Sequence, residues 1–331
     1  MEKLDLDLAV AAPAPVSAGE EAAPALFVTQ QLPDLKSKFR PGATDDEVAQ
    51  IIAGLSLEAI NPFHKVLLPS KGVYYGWDSG WVEVRAMDQE ADKILSTEQL
   101  VRSGQAIDII LRTFTRIPNG LDILDLLNGD RVYLLYYMRG ITNGNLYEFV
   151  SKCGNCNENG KYVYNLNNLQ ETVTWYNEGL GPEPFRVTLP MMSKAAGREV
   201  WVSVRFPRGR DTQQIVAQMR LKNKLSGGVA TNAEDPFNRR RKAAQANVAV
   251  NDAVTENLSS LVTSFMGNTD RSVIDAVMGK LLQPDAAAIR RWIQENAPGP
   301  DTSVEFACNS CKSSFTVPLP ITESFFRQTQ Q

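Results

Sequence analysis

The polar and apolar positions along this chain change period several times, and each change marks an expected element. Val48, Ile51, Ile52 and Leu55 recur at helical spacing behind Thr44-Asp45-Asp46-Glu47, which has the S/T-x-x-E form of a capping box, so a short helix is predicted from there to about Leu57. Val66 to Leu68 reads as extended and Pro69 to Gly72 as a turn. Val73-Tyr74-Tyr75 and Trp81 to Val84 then read as strands about a glycine-flanked hairpin tip, Gly76 to Gly80. An apolar stripe through Leu100, Val101, Ile107, Ile110, Leu111 and Phe114 predicts one helix over about 97–116, followed by a short helix around 121–127 that ends at Asn128-Gly129. Val132 to Met138 is continuously apolar, and its pattern fits a central strand or a buried helix equally well.

Alternation returns at Tyr147 to Lys152 and Val163-Tyr164, then at 186–189 and 200–204. Helices are expected over about 211–224, 251–266, 272–282 and 286–294, with a Gly-, Asn- and Ala-rich loop at 226–246. The fold class expected is α+β. Four parts are read: an acidic arm with a short helix (1–62), a small mixed core domain (63–169), a largely helical inserted domain with a basic loop (170–300), and a C-terminal part (301–331).

All four cysteines fall in two pairs, Cys153-Gly154-Asn155-Cys156 and Cys308-Asn309-Ser310-Cys311, each with Cys-x₂-Cys spacing. Strand-like residues flank both pairs, so each sits at an expected hairpin tip. Four thiolates complete a tetrahedral zinc shell, and two such knuckles facing each other make a zinc ribbon. Here positions 157 to 307 lie between the pairs, whereas an uninterrupted ribbon needs only about 15–20 residues; this separation is what makes the second domain an insertion. One structural zinc per chain, held by Cys153, Cys156, Cys308 and Cys311, is the expectation. Two disulfides, a redox Cys-x₂-Cys pair and unpaired thiols are the competing readings. A catalytic zinc is disfavoured, because four protein ligands leave no open coordination position.

Composition narrows the function further. The chain has 331 residues, 34 Lys+Arg against 38 Asp+Glu, and a single histidine, His64. One histidine leaves little material for a Ser-His-Asp triad or a histidine-ligated metal, so the chain is read as a non-enzyme with His64 as a packing residue. The near-neutral total conceals an asymmetry: residues 1–60 carry ten acids and four bases, and residues 185–245 carry thirteen bases and four acids. The basic run Arg239-Arg240-Arg241-Lys242 and the aromatic cluster Tyr74, Tyr75, Trp77 are the candidate interface residues. Without interleaved aromatics the basic run is a weak nucleic-acid signal. The apolar runs are far shorter than the about 20 residues of a spanning helix, so no membrane contact is expected. The arm lacks the features of a secretory signal, which makes cytosolic synthesis the expectation. Self-association is left open.

The blocks Leu67-Leu68-Pro69-Ser70-Lys71-Gly72-Val73-Tyr74, Val82-Glu83-Val84-Arg85, Ala106 to Arg112, Leu127-Asn128-Gly129-Asp130-Arg131 and Leu134 to Arg139 together resemble the baseplate hub family of T-even-type contractile-tailed bacteriophages. The first cysteine pair follows where that family often has one. The resemblance covers roughly residues 63–170, and the ending through Phe306-Ala307-Cys308, Phe315-Thr316-Val317 and Phe325-Phe326 is similar to the family's second knuckle. It implies a non-enzymatic protein of the tail baseplate hub, as a virion component or an assembly factor, whose partners are other baseplate and tail proteins. The implied location is the host cytoplasm during assembly and the virion tail afterwards. The acidic arm and the long basic insertion depart from the family's simplest members.

Overall fold

The computed structural model describes residues 61–77, 79–225, 258–321 and 323–326. The expected helix at 44–57, the arm around it, and the basic run Arg239-Arg240-Arg241 lie outside the described residues.

The chain is an α+β structure with two apolar cores. The first begins with β1 (His64–Leu67), paired antiparallel with β2 (Trp81–Val84) in the register His64↔Val84 to Leu67↔Trp81. The residues expected to form a strand between them, Val73–Tyr75, are instead a 3₁₀ turn. Gly72 and Gly76, on either side of it, both adopt left-handed backbone, which extended structure does not accommodate. The loop closes because Gly72 backs directly onto Gly80, where any β-carbon would lie 2.8 Å from the opposing α-carbon.

Three helices follow: α1 (Gln89–Ser96), α2 (Glu98–Arg102) and α3 (Gln105–Phe114). The single helix expected over 97–116 is broken at Gly104, which takes a left-handed conformation between α2 and α3. Helix α1 buries only Ala91 and Leu95, too narrow a stripe to register as a periodic pattern. The two-residue strand β3 (Thr115–Arg116) extends the sheet against β2.

Helix α4 (Asn128–Asn143) runs through the middle of the first core. It resolves the ambiguity at Val132 to Met138 in favour of a buried helix: Tyr133 to Gly140 are all buried, so apolar residues are needed on every side. Asn128-Gly129, expected to close a short helix, opens this long one; only a 3₁₀ turn at Ile123–Asp125 precedes it. Gly129 is required by a close approach, since a β-carbon there would lie 1.8 Å from the carbonyl oxygen of Pro298. At the far end of α4, the buried Arg139 donates to the carbonyls of Gly144 and Leu146 and so fixes the exit into the next strand.

Strands β4 (Leu146–Lys152) and β5 (Asn159–Asn165) form a seven-residue antiparallel hairpin. Its inward residues Tyr147, Phe149 and Tyr162 belong to the first core, and so do Val304, Leu319, Phe325 and Phe326 from the C-terminal end of the chain. The intervening sequence builds the second core, around Phe185, Val187, Val202, Val204, Phe206, Ile289 and Ile293.

Before the second core comes the short strand β6 (Val173–Thr174); within it are β7 (Phe185–Thr188), α5 (Pro190–Ala196), β8 (Trp201–Val204) and α6 (Gly209–Leu225). After the undescribed segment come α7 (Leu258–Leu261), β9 (Val262–Phe265), α8 (Arg271–Met278) and α9 (Gln283–Asn296). The helix expected over 251–266 is thus corrected: Leu258–Leu261 is helical, but Val262–Phe265 forms the third strand of the sheet β7-β8-β9. There Ser264 donates to Ser203 across the buried face at 2.8 Å, and alternate residues Val262 and Ser264 turn inward.

The chain returns to the first core as β10 (Gly299–Pro300), which pairs with β6 in the register Gly299↔Thr174 and Pro300↔Val173. The segments leading into and out of the second core are therefore hydrogen-bonded neighbours. The final hairpin, β11 (Ser303–Ala307) with β12 (Ser314–Pro318), and the short helix α10 (Glu323–Phe326) complete the fold.

Aromatic and ionic contacts close the seam between the cores. Tyr74 packs edge-on against Tyr176, Phe185 and Phe206, with ring centroids 5.3–6.0 Å apart. Asp108 and Arg131 form a buried ion pair from the first core, and Gln213 of α6 donates to the same carboxylate at 3.0 Å. Arg210 of α6 bonds Asp125, and Arg208 bonds Glu183.

Candidate metal centre

Each cysteine pair occupies the turn of a two-stranded hairpin, β4-β5 or β11-β12, and the two turns repeat one another. In the first, the amide of Cys153 donates to the Glu158 carbonyl at 2.9 Å and the amide of Asn157 to the Cys153 carbonyl at 3.1 Å. In the second, Cys308 donates to Ser313 and Lys312 to Cys308, both at 3.0 Å. Asn157 and Lys312 have the same left-handed conformation, φ 62° and 60°. Equivalent sequence spacing has produced equivalent backbone, which turns both sulfurs of each knuckle the same way.

The hairpins face each other across an aromatic layer. Phe306 lies 5.5 Å from Phe149 and 5.2 Å from Tyr162, and Phe315 lies 5.6 Å from Tyr162. This layer brings the turns together: the four sulfurs all lie within 4.8 Å of one another, with Cys153 Sγ 3.8 Å from Cys311 Sγ and Cys156 Sγ 3.6 Å from Cys308 Sγ. A tetrahedral ion with metal–sulfur bonds of about 2.3 Å requires sulfur–sulfur edges of about 3.8 Å, so the donor set fits a four-coordinate thiolate site. Among the described residues this is the one cluster of three or more His, Cys, Asp or Glu side chains placed to share an ion.

Donors around the sulfurs favour the thiolate. The amide of Asn155 points at Cys153 Sγ (3.4 Å), and the Asn155 side chain reaches across to Cys311 Sγ (3.8 Å) and Ser313 Oγ (3.3 Å). Ser313 Oγ in turn lies 2.8 Å from Cys311 Sγ. The Ser313 hydroxyl and amide bring the Cys311 thiol down to about 6, and the amides of Cys156 and Asn155 lower Cys153. Cys156 accepts from the Glu158 amide, but burial and the neighbouring sulfurs push it up to about 12. Four close thiols cannot all shed protons without a cation among them, which is the electrostatic case for a metal here. Exposure is uneven: Cys153 and Cys308 are buried, Cys156 is half-buried and Cys311 faces solvent.

All four cysteines singled out in the sequence are therefore brought together. The cross-knuckle partners Asn155 and Ser313 were not singled out; they carry no signal beyond lying in and beside the turns. The aromatic interface expectation is corrected. Trp77 is buried, Tyr74 is engaged in the seam, and the Tyr75 hydroxyl is held between the Asp130 carboxylate and the Leu127 amide, so these residues anchor the protein's own interior. His64 pairs with Val84 in β1, away from the cysteine cluster in the fold.

Comparison with known proteins finds no matching family model, no matching curated protein and no matching solved structure. No helix among the described residues is long and apolar enough to cross a membrane.

Proposed function

We propose that this chain is a structural subunit of a bacteriophage tail baseplate, at the hub or beside it, and acts by docking to other baseplate and tail proteins during assembly. The observation that carries the reading is the cysteine quartet, which gathers four sulfurs from two hairpins separated by positions 157 to 307 and would leave a bound ion no vacant ligand position. Such a centre suits scaffolding rather than turnover. The resemblance of residues 63–170 and of the second knuckle to the T-even baseplate hub family supplies the setting.

In this reading the metal is zinc, the facing hairpins form a split zinc ribbon, and the second core is an inserted domain whose orientation the ribbon helps to fix. Zinc would be held by Cys153, Cys156, Cys308 and Cys311, and would supply charge neutralisation and a rigid tetrahedral joint. The acidic residues of 1–60 and the basic run Arg239-Arg240-Arg241 offer charge of opposite sign for docking to neighbouring subunits. Assembly takes place in the host cytoplasm, and the chain then resides in the virion tail.

The test is quantitative mass spectrometry of this chain in purified tails and in soluble assembly intermediates of the phage that encodes it. Stoichiometric presence in both supports a structural subunit. Presence in the intermediates alone would replace that role by a transient assembly chaperone. Absence from both, together with salt-sensitive binding of the zinc-loaded chain to DNA or RNA, would replace it by a nucleic-acid-binding zinc ribbon.

A further inference from the structure

We infer that the cysteine quartet is a joint with two covalent states, which exchanges its metal for two disulfides running between the knuckles, Cys153–Cys311 and Cys156–Cys308, when the protein meets a peroxide. The inference rests on the metal-binding reading above and adds how that site is regulated.

The geometry points to this pairing. Cys153 meets Cys311 at 3.8 Å and Cys156 meets Cys308 at 3.6 Å, so both of these contacts cross from one hairpin to the other. Within each knuckle the backbone is fixed by its own turn, Cys153 to Glu158 and Cys308 to Ser313. The aromatic layer of Phe149, Tyr162, Phe306 and Phe315 lies beneath and holds the hairpins together without relying on the ion. Sulfurs already in contact across the joint need only close the gap left by the departing metal.

Uneven exposure sets the order of events. Cys311 is the exposed member of the set, so it is the sulfur that an oxidant reaches first. Hydrogen peroxide transfers one oxygen to Cys311, its O–O bond breaks, and hydroxide leaves. The Cys153 thiolate then attacks the sulfenic sulfur, forming S–S and expelling a second hydroxide. A second peroxide does the same for Cys156 and Cys308. In total four thiolates give up four electrons, two peroxides become four hydroxides that solvent protonates to water, and one divalent ion is released.

The functional consequence is that the hairpins stay joined in both reducing and oxidising surroundings. A chain assembled in a reducing cytoplasm and later exposed to an oxidising medium would keep its joint after losing its metal.

The experiment treats the full zinc-loaded chain with hydrogen peroxide, follows zinc release with a metallochromic dye, and maps the disulfides by tryptic peptide mass spectrometry. Cleavage after Lys152, Lys161 and Lys312 leaves both cysteines of a knuckle in one peptide. Pairs between knuckles therefore link two peptides, whereas pairs within a knuckle leave them separate. The expected result is one equivalent of zinc released and the two peptides linked by two disulfides, with electron-transfer fragmentation between Cys153 and Cys156 assigning them to Cys311 and Cys308 respectively. Disulfides within knuckles, the opposite cross pairing, or sulfinic acids without disulfides would each overturn the inference while leaving the metal reading intact. A chain purified under reducing conditions that takes up no zinc would overturn the metal reading itself, and this inference with it.

Discussion

The hydroxyl of Tyr75 accepts the amide of Leu127 at 2.6 Å and donates to the carboxylate of Asp130 at 2.5 Å, so a loop residue reaches the first turn of the central helix and satisfies two of its buried groups at once. Asp130 is fully buried, and its other oxygen accepts the Ser70 amide at 3.0 Å. Among the described residues no cation pairs with it.

Burial pushes the Asp130 carboxyl up to about 6 from its ordinary 3.8, against the lowering effect of the bonds from Ser70 and Tyr75. The folded chain therefore holds this proton more tightly than the unfolded chain. Its contribution to stability is fully present below pH 3.8 and is lost as the pH rises through 6. The difference amounts to about 3 kcal/mol at about 1.4 kcal/mol per pH unit. Asp130→Asn should remove it: between pH 4 and pH 8, urea unfolding of the wild type should show a decline of that order relative to the variant. Parallel stability profiles for the two proteins would refute the assignment.

Gly129 and Gly299 meet backbone to backbone, and a β-carbon at Gly129 has only the Pro298 carbonyl to enter. Gly129→Ala should cost about 3 kcal/mol, the upper part of the range for overpacking. Gly154→Ala, where nothing lies within 4 Å of the added carbon, should change stability by no more than about 0.5 kcal/mol. Denaturant titration of the two variants side by side checks the contrast.

Removing the cation from the buried Asp108–Arg131 pair strands a carboxylate that also accepts from Gln213. Arg131→Met should destabilise the protein by about 3–5 kcal/mol, the usual range for an orphaned buried charge. A double-mutant cycle with Asp108→Asn should return a coupling energy well above that of the exposed pair Arg112–Asp122.

Cys153→Ser or Cys308→Ser takes one ligand from the quartet and should abolish stoichiometric zinc binding. Each should also lower the thermal midpoint by forfeiting part of the about 10–16 kcal/mol with which thiolate sites in small peptides hold zinc. His64→Ala should leave the metal content unchanged. Elemental mass spectrometry on protein prepared without chelator reads both outcomes.

The knuckles were legible in the sequence because alternation and Cys-x₂-Cys spacing are local signals that agree. Their meeting was legible only through chemistry: nothing in the pattern places Phe306 on Phe149, but four cysteines in two equivalent turns are a donor set that one ion can draw together. Other features were not legible for equally specific reasons. Val73-Tyr74-Tyr75 has strand-like composition, and the left-handed glycines at 72 and 76 override it. Val262 to Phe265 was absorbed into an apparent helix because its partner, β8, lies some sixty positions away. Aromatic residues at a loop tip look alike whether they face solvent or a second core, so only the fold shows Tyr74 lying against Phe185 and Phe206.

The ladder between β6 and β10 has a mechanical consequence. Because Thr174 and Gly299 are paired, the chain leaves for the second core and returns from it side by side. A pull on that core is shared by both strands at one point, and along the returning strand it enters β11 at Ser303, the opposite end from Cys308. A load on the second core is therefore divided between this ladder and the seam contacts, such as Tyr74 on Phe185 and Gln213 on Asp108, which all lie ahead of the hairpin that carries the sulfurs.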